Sequence, residues 1–306
     1  MKKPTSIYLF VILLVSLTSK LQAQQSWIDT SIHKGLIELE TDYTFKTLVT
    51  NDSIQTTAET LKKLNQAKLY FDKVFQTNLD FAVLFIENKA WSKHAYFPPP
   101  GLPQAGNGNI ILGLDKSVVS LEVEKMIRQL PEPYWSSLKP VYGDNINLDL
   151  FYRETLSLHE LAHLYHFKEG NKPQRKWLQE LFATMSMYSF IKEKSKSSYE
   201  LMHTYPEFVL QSGDRMAKFK TLKDFEEKYV QELTPQNYEW YQMQLYKNAK
   251  AIIDSEKKDV LIPLLHFLID TDLSKNEVLS DSELAIRLEK EVGKEVADIL
   301  VNWQYK

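Results

Sequence analysis

The chain has 306 residues, of which 43% are apolar or aromatic and 25% charged, with a formal net charge of −3. That is the balance of a globular protein with a real core in one large domain or two modest ones, and it carries no nucleic-acid footprint. There is no cysteine and there are only nine glycines, which excludes disulfide staples and a cysteine-linked lipid anchor and argues against long flexible linkers.

Taken in chain order, the first residues read as an export signal. Lys2 and Lys3 form a short positive start, Ile7 to Leu17 is an almost unbroken apolar run, and Leu21-Gln22-Ala23 offers a small residue before Gln24. The run is short for a membrane span, so a signal peptide over 1–23 is expected, with a periplasmic or extracellular destination; an uncleaved anchor is the alternative. Removing 1–23 takes away three lysines and no acids, leaving 34 basic against 40 acidic residues and a formal charge of −6. No later stretch is apolar enough to cross a bilayer.

Residues 24 to about 57 are mixed, with the run Tyr43 to Thr50 suited to a strand. Thr57 to Phe75 places Leu61, Leu64, Phe71 and Phe75 on one stripe, as an amphipathic helix does. Asp80 to Glu87 and Asn109 to Leu114 have strand length and composition, separated by a stretch that prolines 98–100 and 103 and glycines 101, 106 and 108 keep irregular. From about Ser117 the pattern turns helical: Val118–Gln129, then a Pro- and Trp-containing loop through Gly143, then Leu148–Phe167, Arg175–Lys192, Tyr238–Asp254, Val260–Leu268 and Ser282–Gln304. The expected class is α+β, with a β-containing part over 24–116 and a helical part over 117–306, or one continuous α+β domain.

The strongest chemical signal is His159-Glu160-Leu161-Ala162-His163. On a helix, residues four apart lie one turn above each other on one face, so two imidazoles so placed can share one zinc ion. Glu160 lies a third of a turn from His159, where it can hold the attacking water without competing as a ligand. No Gly or Pro interrupts 148–167, and Leu156, Leu158, Leu161, Leu164 and Phe167 surround the helix with apolar contacts, so it should be buried. The bland alternative is two core histidines that match the pattern by chance.

A catalytic zinc needs a third protein ligand and one open position. Glu180 follows His163 after sixteen intervening residues, with Gly170-Asn171-Lys172-Pro173 between them to turn the chain. It sits among Trp177, Leu178, Leu181, Phe182 and Ala183, where an acid should be paired; a metal is one partner, an arginine or solvent the other. His166, three residues beyond His163, is poorly spaced for ligation and reads as a surface histidine or one that supports the ligands from behind. Glu169, near the helix end, reads as solvated.

His159-Glu160-x-x-His163 followed by Trp177-Leu178-Gln179-Glu180-Leu181-Phe182-Ala183 resembles the gluzincins, the zinc peptidases of the thermolysin and aminopeptidase type within the MA clan. The match spans about residues 150–190. It implies one Zn2+ per chain on His159, His163 and Glu180, Glu160 as general base, and a peptide or protein as substrate. The chain departs from the aminopeptidases in its shorter spacing to Glu180 and in lacking a G-x-M-E-N segment. The clan also carries a sheet edge strand ahead of the metal helix, to which an extended peptide adds; residues 101–111 stand at that place, or are a plain Gly-rich turn into a core strand. A Tyr or His that steadies the oxyanion is implied too, for which Tyr241 is the first choice, Tyr238 the second, and His266 and His203 further possibilities. The expected function is an exported zinc metallopeptidase. The alternatives are a catalytically silent metal- or peptide-binding protein on the same scaffold and a zinc amidase acting on cell-wall peptides.

Overall fold

The computed structural model describes residues 26–51, 54–212, 217–229, 232–256 and 259–303; the expected signal peptide lies outside them. The fold is α+β: a five-stranded sheet drawn from the first part of the chain, and helices that pack on one of its faces and on each other.

The strands are β1 (Ile37–Leu39), β2 (Lys46–Val49), β3 (Ala82–Ile86), β4 (Gln104–Gly106) and β5 (Asn109–Gly113). Their order is β1-β2-β3-β5-β4, with β2, β3 and β5 parallel and the two outer strands antiparallel to their neighbours. All five residues of β3 and of β5 are buried, as central strands covered on both faces require, which is why their sequences are unbroken apolar runs. One face, with Val49, Val83, Phe85, Ile110 and Leu112, joins the main core. The other, with Leu48, Leu84, Ile86 and Ile111, is covered by Trp91 and the segment around Ile28 to Leu36. The strand expected from 43 to 50 forms only over 46–49, and an edge strand, β4, does form within the Gly-rich stretch.

Helix α1 (Ile54–Phe75) lays Leu61, Leu64, Ala67, Phe71 and Val74 into the main core. Helix α2 (Val118–Gln129) starts on a Ser117 cap whose side chain accepts from the Val119 amide. A π-helical turn over Leu150–Thr155 then feeds α3 (Leu156–Phe167), and α4 (Lys176–Lys194) runs back across it. Both α3 and α4 are buried on nearly every side; in α3, every residue from Ser157 to His166 except Glu160 is out of solvent.

Helices α5 (Lys196–Ser212) and α6 (Leu222–Lys228) were not legible in the sequence; α7 (Pro235–Glu256) extends the expected segment at both ends, and α8 (Leu261–Asp270) starts one residue later and ends two later than expected. The single helix expected over 282–304 is two, α9 (Asp281–Glu291) and α10 (Lys294–Asn302), packed on one another. Gly293 between them has φ +156°, outside helical space and in a region L side chains avoid, so the chain turns there. Among the described residues no helix is long and apolar enough to cross a membrane.

The aromatic seam between α1 and the α3–α4 pair sets their spacing. Phe71, with no exposed surface, packs its ring 5.7 Å from Tyr165 of α3 and 6.1 Å from Phe190 of α4. Phe71→Ala should lower unfolding free energy by about 3–5 kcal/mol, the usual cost of emptying a buried phenylalanine site. Leu69→Ala, on the exposed face of the same helix, should change it by no more than about 0.5 kcal/mol. Denaturant titration of both variants, with unchanged m-values, is the measurement.

Candidate metal centre

Helix α3 presents His159 and His163 one turn apart on one face, and both rings are buried. Their Nε2 atoms converge to 2.9 Å. The His163 ring stacks on Phe167, with centroids 5.1 Å apart and planes 7° from parallel. Its Nδ1 has no hydrogen-bond partner among the described residues, so this stacking is what orients it. Nδ1 of His159 lies 3.4 Å from the hydroxyl of Thr184. A proton on Nδ1 shared with that oxygen leaves Nε2 with its lone pair free, the tautomer a metal ligand needs.

Helix α4 brings Glu180 to the same point. Its Oε2 is 3.3 Å from His159 Nε2 and 3.7 Å from His163 Nε2, and the carboxylate is 3% exposed. Thr184 is one turn further along α4, so a single helix face supplies both the carboxylate and the partner of His159. Three neutral donors surround Glu180: Tyr229 hydroxyl donates to Oε1 at 3.2 Å, and Gln242 Nε2 donates to Oε2 at 2.8 Å. Tyr238 hydroxyl stands 3.5 Å from Oε2 and accepts from Gln242 Nε2 at 2.7 Å.

The electrostatics follow from that packing. Burial pushes the Glu180 carboxyl up, but the His163 and His159 imidazoles outweigh it and hold the group well below the usual carboxylate range. Burial and the neighbouring His163 pull His159 down. For His163 burial acts the same way and Glu180 overrides it, raising the group. The carboxylate thus favours positive charge on the facing imidazoles, in a place where a dication would satisfy all three groups together.

The donor set fits zinc. Two imidazole nitrogens and one carboxylate oxygen, all within 4.8 Å of one another, are the donor types zinc takes in catalytic sites. Tetrahedral ligation at about 2.0–2.1 Å puts donor atoms roughly 3.3 Å apart, and the observed separations of 2.9, 3.3 and 3.7 Å bracket that value.

Glu160 is half-buried beside these groups. Burial pushes its carboxyl up to about 8, with His163 pulling it back, Glu180 pushing it further and the backbone amide of Ala105 in β4 favouring the charged form. A cation among the ligands would pull it down again.

The oxyanion-stabilising role expected of Tyr241 does not fit its place. Its hydroxyl donates to the Thr221 carbonyl at 2.7 Å and its ring packs on Phe225 and Trp303. The reason is helical phase: Tyr238 and Gln242, four apart, share the face of α7 turned to Glu180, and Tyr241 falls to one side of it. His203, 3.3 Å from Tyr246 hydroxyl, and the exposed His266 are not among these groups either. His166 is not a surface residue; it is fully buried, and burial followed by His163 pulls it down to about 4, so it stays neutral. Tyr229 and Gln242 were missed by sequence reading. Gln242 was signalled by its four-residue spacing from Tyr238, whereas nothing local marks Tyr229.

No protein-family model matches the chain, and neither does any curated protein. Among solved structures the chain is similar to the aminopeptidase N family protein from Idiomarina loihiensis, with a TM-score of 0.53 and 10% identity over 89% of this chain and 46% of that one. An M1 zinc metallopeptidase from Deinococcus radiodurans aligns at a TM-score of 0.41 and 14% identity, over 87% of this chain and 50% of that one. The chain thus spans about half the length of each, and at 10% identity the first likeness is one of fold.

Elemental analysis should find one zinc per chain in the purified protein, none in His163→Ala, and an unchanged content in Tyr241→Phe. Gln242→Ala should fold and still bind zinc, with affinity lowered about 10–100-fold, the usual effect of removing a ligand's hydrogen-bond partner; competition with a chelator measures it.

Proposed function

We propose that the chain is an exported zinc-dependent peptidase that hydrolyses peptide bonds at the His159–His163–Glu180 centre, with Glu160 as general base. The observation that carries the reading is the convergence of three buried donor atoms from two crossing helices, with a second acid, Glu160, beside them that is not part of the donor group. The shared fold with an aminopeptidase N family protein supports it, and the residue pattern of 1–23 supports export.

His159, His163 and Glu180 would hold the zinc, which when bound would supply Lewis acidity for the scissile carbonyl and the attacking water. Glu160 takes the proton from that water and is placed to return it to the leaving amine. Its neighbour, the Ala105 amide, keeps the carboxylate oriented from the strand side. Tyr238 hydroxyl is the donor placed to steady the oxyanion, since it stands at the edge of the ligand set and is held there by Gln242. Tyr229 and Gln242 fix Glu180 without adding charge. A silent binding protein would have no use for Glu160, a costly half-buried acid.

Glu160→Gln should keep its zinc and lose at least about 100-fold in kcat on a peptide substrate, as removal of a general base does. Tyr238→Phe should lower kcat by about 100–1,000-fold, the scale of a lost oxyanion donor, with little change in KM, while Tyr241→Phe stays near wild type. Full activity in zinc-loaded Glu160→Gln would end the proposal.

A further inference from the structure

Helix α4 opens without a cap of its own. Arg175, the residue before it, makes no side-chain capping bond, and the first turn holds no acid. The first amides of a helix have no partner inside it. That of Leu178 reaches back to the Arg175 carbonyl at 3.2 Å, which leaves those of Lys176 and Trp177. Both donate to one carboxylate from another helix: Glu226 of α6 accepts from Lys176 at 3.0 Å through Oε2 and from Trp177 at 3.1 Å through Oε1. An acid is favoured at that end of a helix, where the amides and the dipole point at it.

The contact is returned. Lys176 Nζ donates to the backbone carbonyl of Glu226 at 2.9 Å, in the last turn of α6, where a cation is favoured in turn. The same ammonium lies 4.9 Å from the centre of the Tyr229 ring. Glu226 is half-buried, and burial raises its carboxyl against the pull of the two amides, Lys176 and Arg175.

The consequence lies one turn further on. Lys176 and Glu180 are four apart on α4, and Glu226 and Tyr229 three apart at the end of α6, so each pair shares a helix face. With Lys176 and Glu226 joined, Tyr229 comes opposite Glu180, and its hydroxyl donates to Oε1 at 3.2 Å. The Tyr229 ring also meets Phe225 and Tyr238 edge-on, with centroids 5.1 and 5.4 Å away. Those contacts set the tilt of the ring, whereas the paired bonds at Lys176, Trp177 and Glu226 set where α6 stands along α4.

We propose that Glu226 is a positioning residue for the metal centre: by closing the start of α4 onto α6 it delivers the Tyr229 hydroxyl to the carboxylate of Glu180. It lies a turn away from the donor atoms and acts on them through Tyr229. Its effect on catalysis rests on the peptidase reading above; its effect on zinc affinity does not.

The test is a double-mutant cycle on the whole protein, read as zinc affinity by competition with a chelator. Tyr229→Phe, which removes the hydroxyl, and Glu226→Ala, which releases it, should each lower affinity about tenfold or more. In the Tyr229→Phe background, Glu226→Ala should cost less than about a further twofold, because the bond it supports is already gone. Glu226→Gln keeps one acceptor for the two amides and should fall between Glu226→Ala and the wild type; it takes the place of Glu226→Ala in the cycle if that variant does not fold. On a peptide substrate at saturating zinc, Glu226→Ala should lower kcat by about 10–100-fold, the cost of a misplaced group, with little change in KM. Equal losses of affinity with and without the Tyr229 hydroxyl would mean that Glu226 acts on the fold at large, and would overturn the proposal. Wild-type affinity in a folded Glu226→Ala protein would overturn it too. A cycle that behaves as expected in a protein with no zinc-dependent cleavage overturns the peptidase reading and leaves Glu226 its role at the ligand. Absence of zinc binding by the wild type overturns both.

Discussion

The structure is organised around one constraint: the carboxylate of Glu180 is buried at the crossing of α3 and α4, and it must meet positive charge there. Its neighbours on α4 are apolar and out of solvent, so water cannot serve it. The two imidazoles of α3 are what it meets. Breaking such a buried set by removing one member typically costs about 3–5 kcal/mol. The register of α4 on α3 is therefore tied to the geometry of the donor group, and any slide of one helix past the other separates Glu180 from both imidazoles at once.

Around that group, polar residues come in two kinds. The acids are Glu180, which faces both imidazoles, and Glu160, which lies beside them. Those that only position are neutral: Tyr229, Gln242 and Thr184 donate or accept without changing the net charge. The second line of support is of the same kind. Tyr152, in the π-helical turn ahead of α3, and Tyr205 of α5 both donate to Glu239 of α7, the residue next to Tyr238. This links the start of the metal helix to the helix that carries Tyr238 and Gln242, so α7 is held in rotation as well as in place.

What could be read from the sequence was what a single helix or strand encodes locally. His159 and His163 were legible because four-residue spacing needs nothing but a helix, and the apolar surroundings of Glu180 marked it as an acid in need of a partner. The central strands β3 and β5 were legible as apolar runs. Less was visible where the answer depends on how elements meet. Tyr241 was preferred over Tyr238, yet the choice between them is set by how α7 rotates against α4, which composition does not record. Tyr229 comes from a segment with no pattern of its own. The strands β1 and β4 are three residues each, too short to show alternation, and β4 became visible only as a position beside the metal helix. The split at Gly293 was passed over because the flanking stretches continue the apolar stripe.

The neutrality of the surroundings has a consequence for Glu160. Glu160 is already pushed up by burial and by Glu180, and His163 and the Ala105 amide only partly offset that. Another fixed carboxylate within a few ångströms would raise it further and would compete for any cation held nearby. A lysine or arginine would instead lower Glu160. Amides and hydroxyls do neither, so the proton affinity of Glu160 is set by its burial, His163, Glu180 and the Ala105 amide.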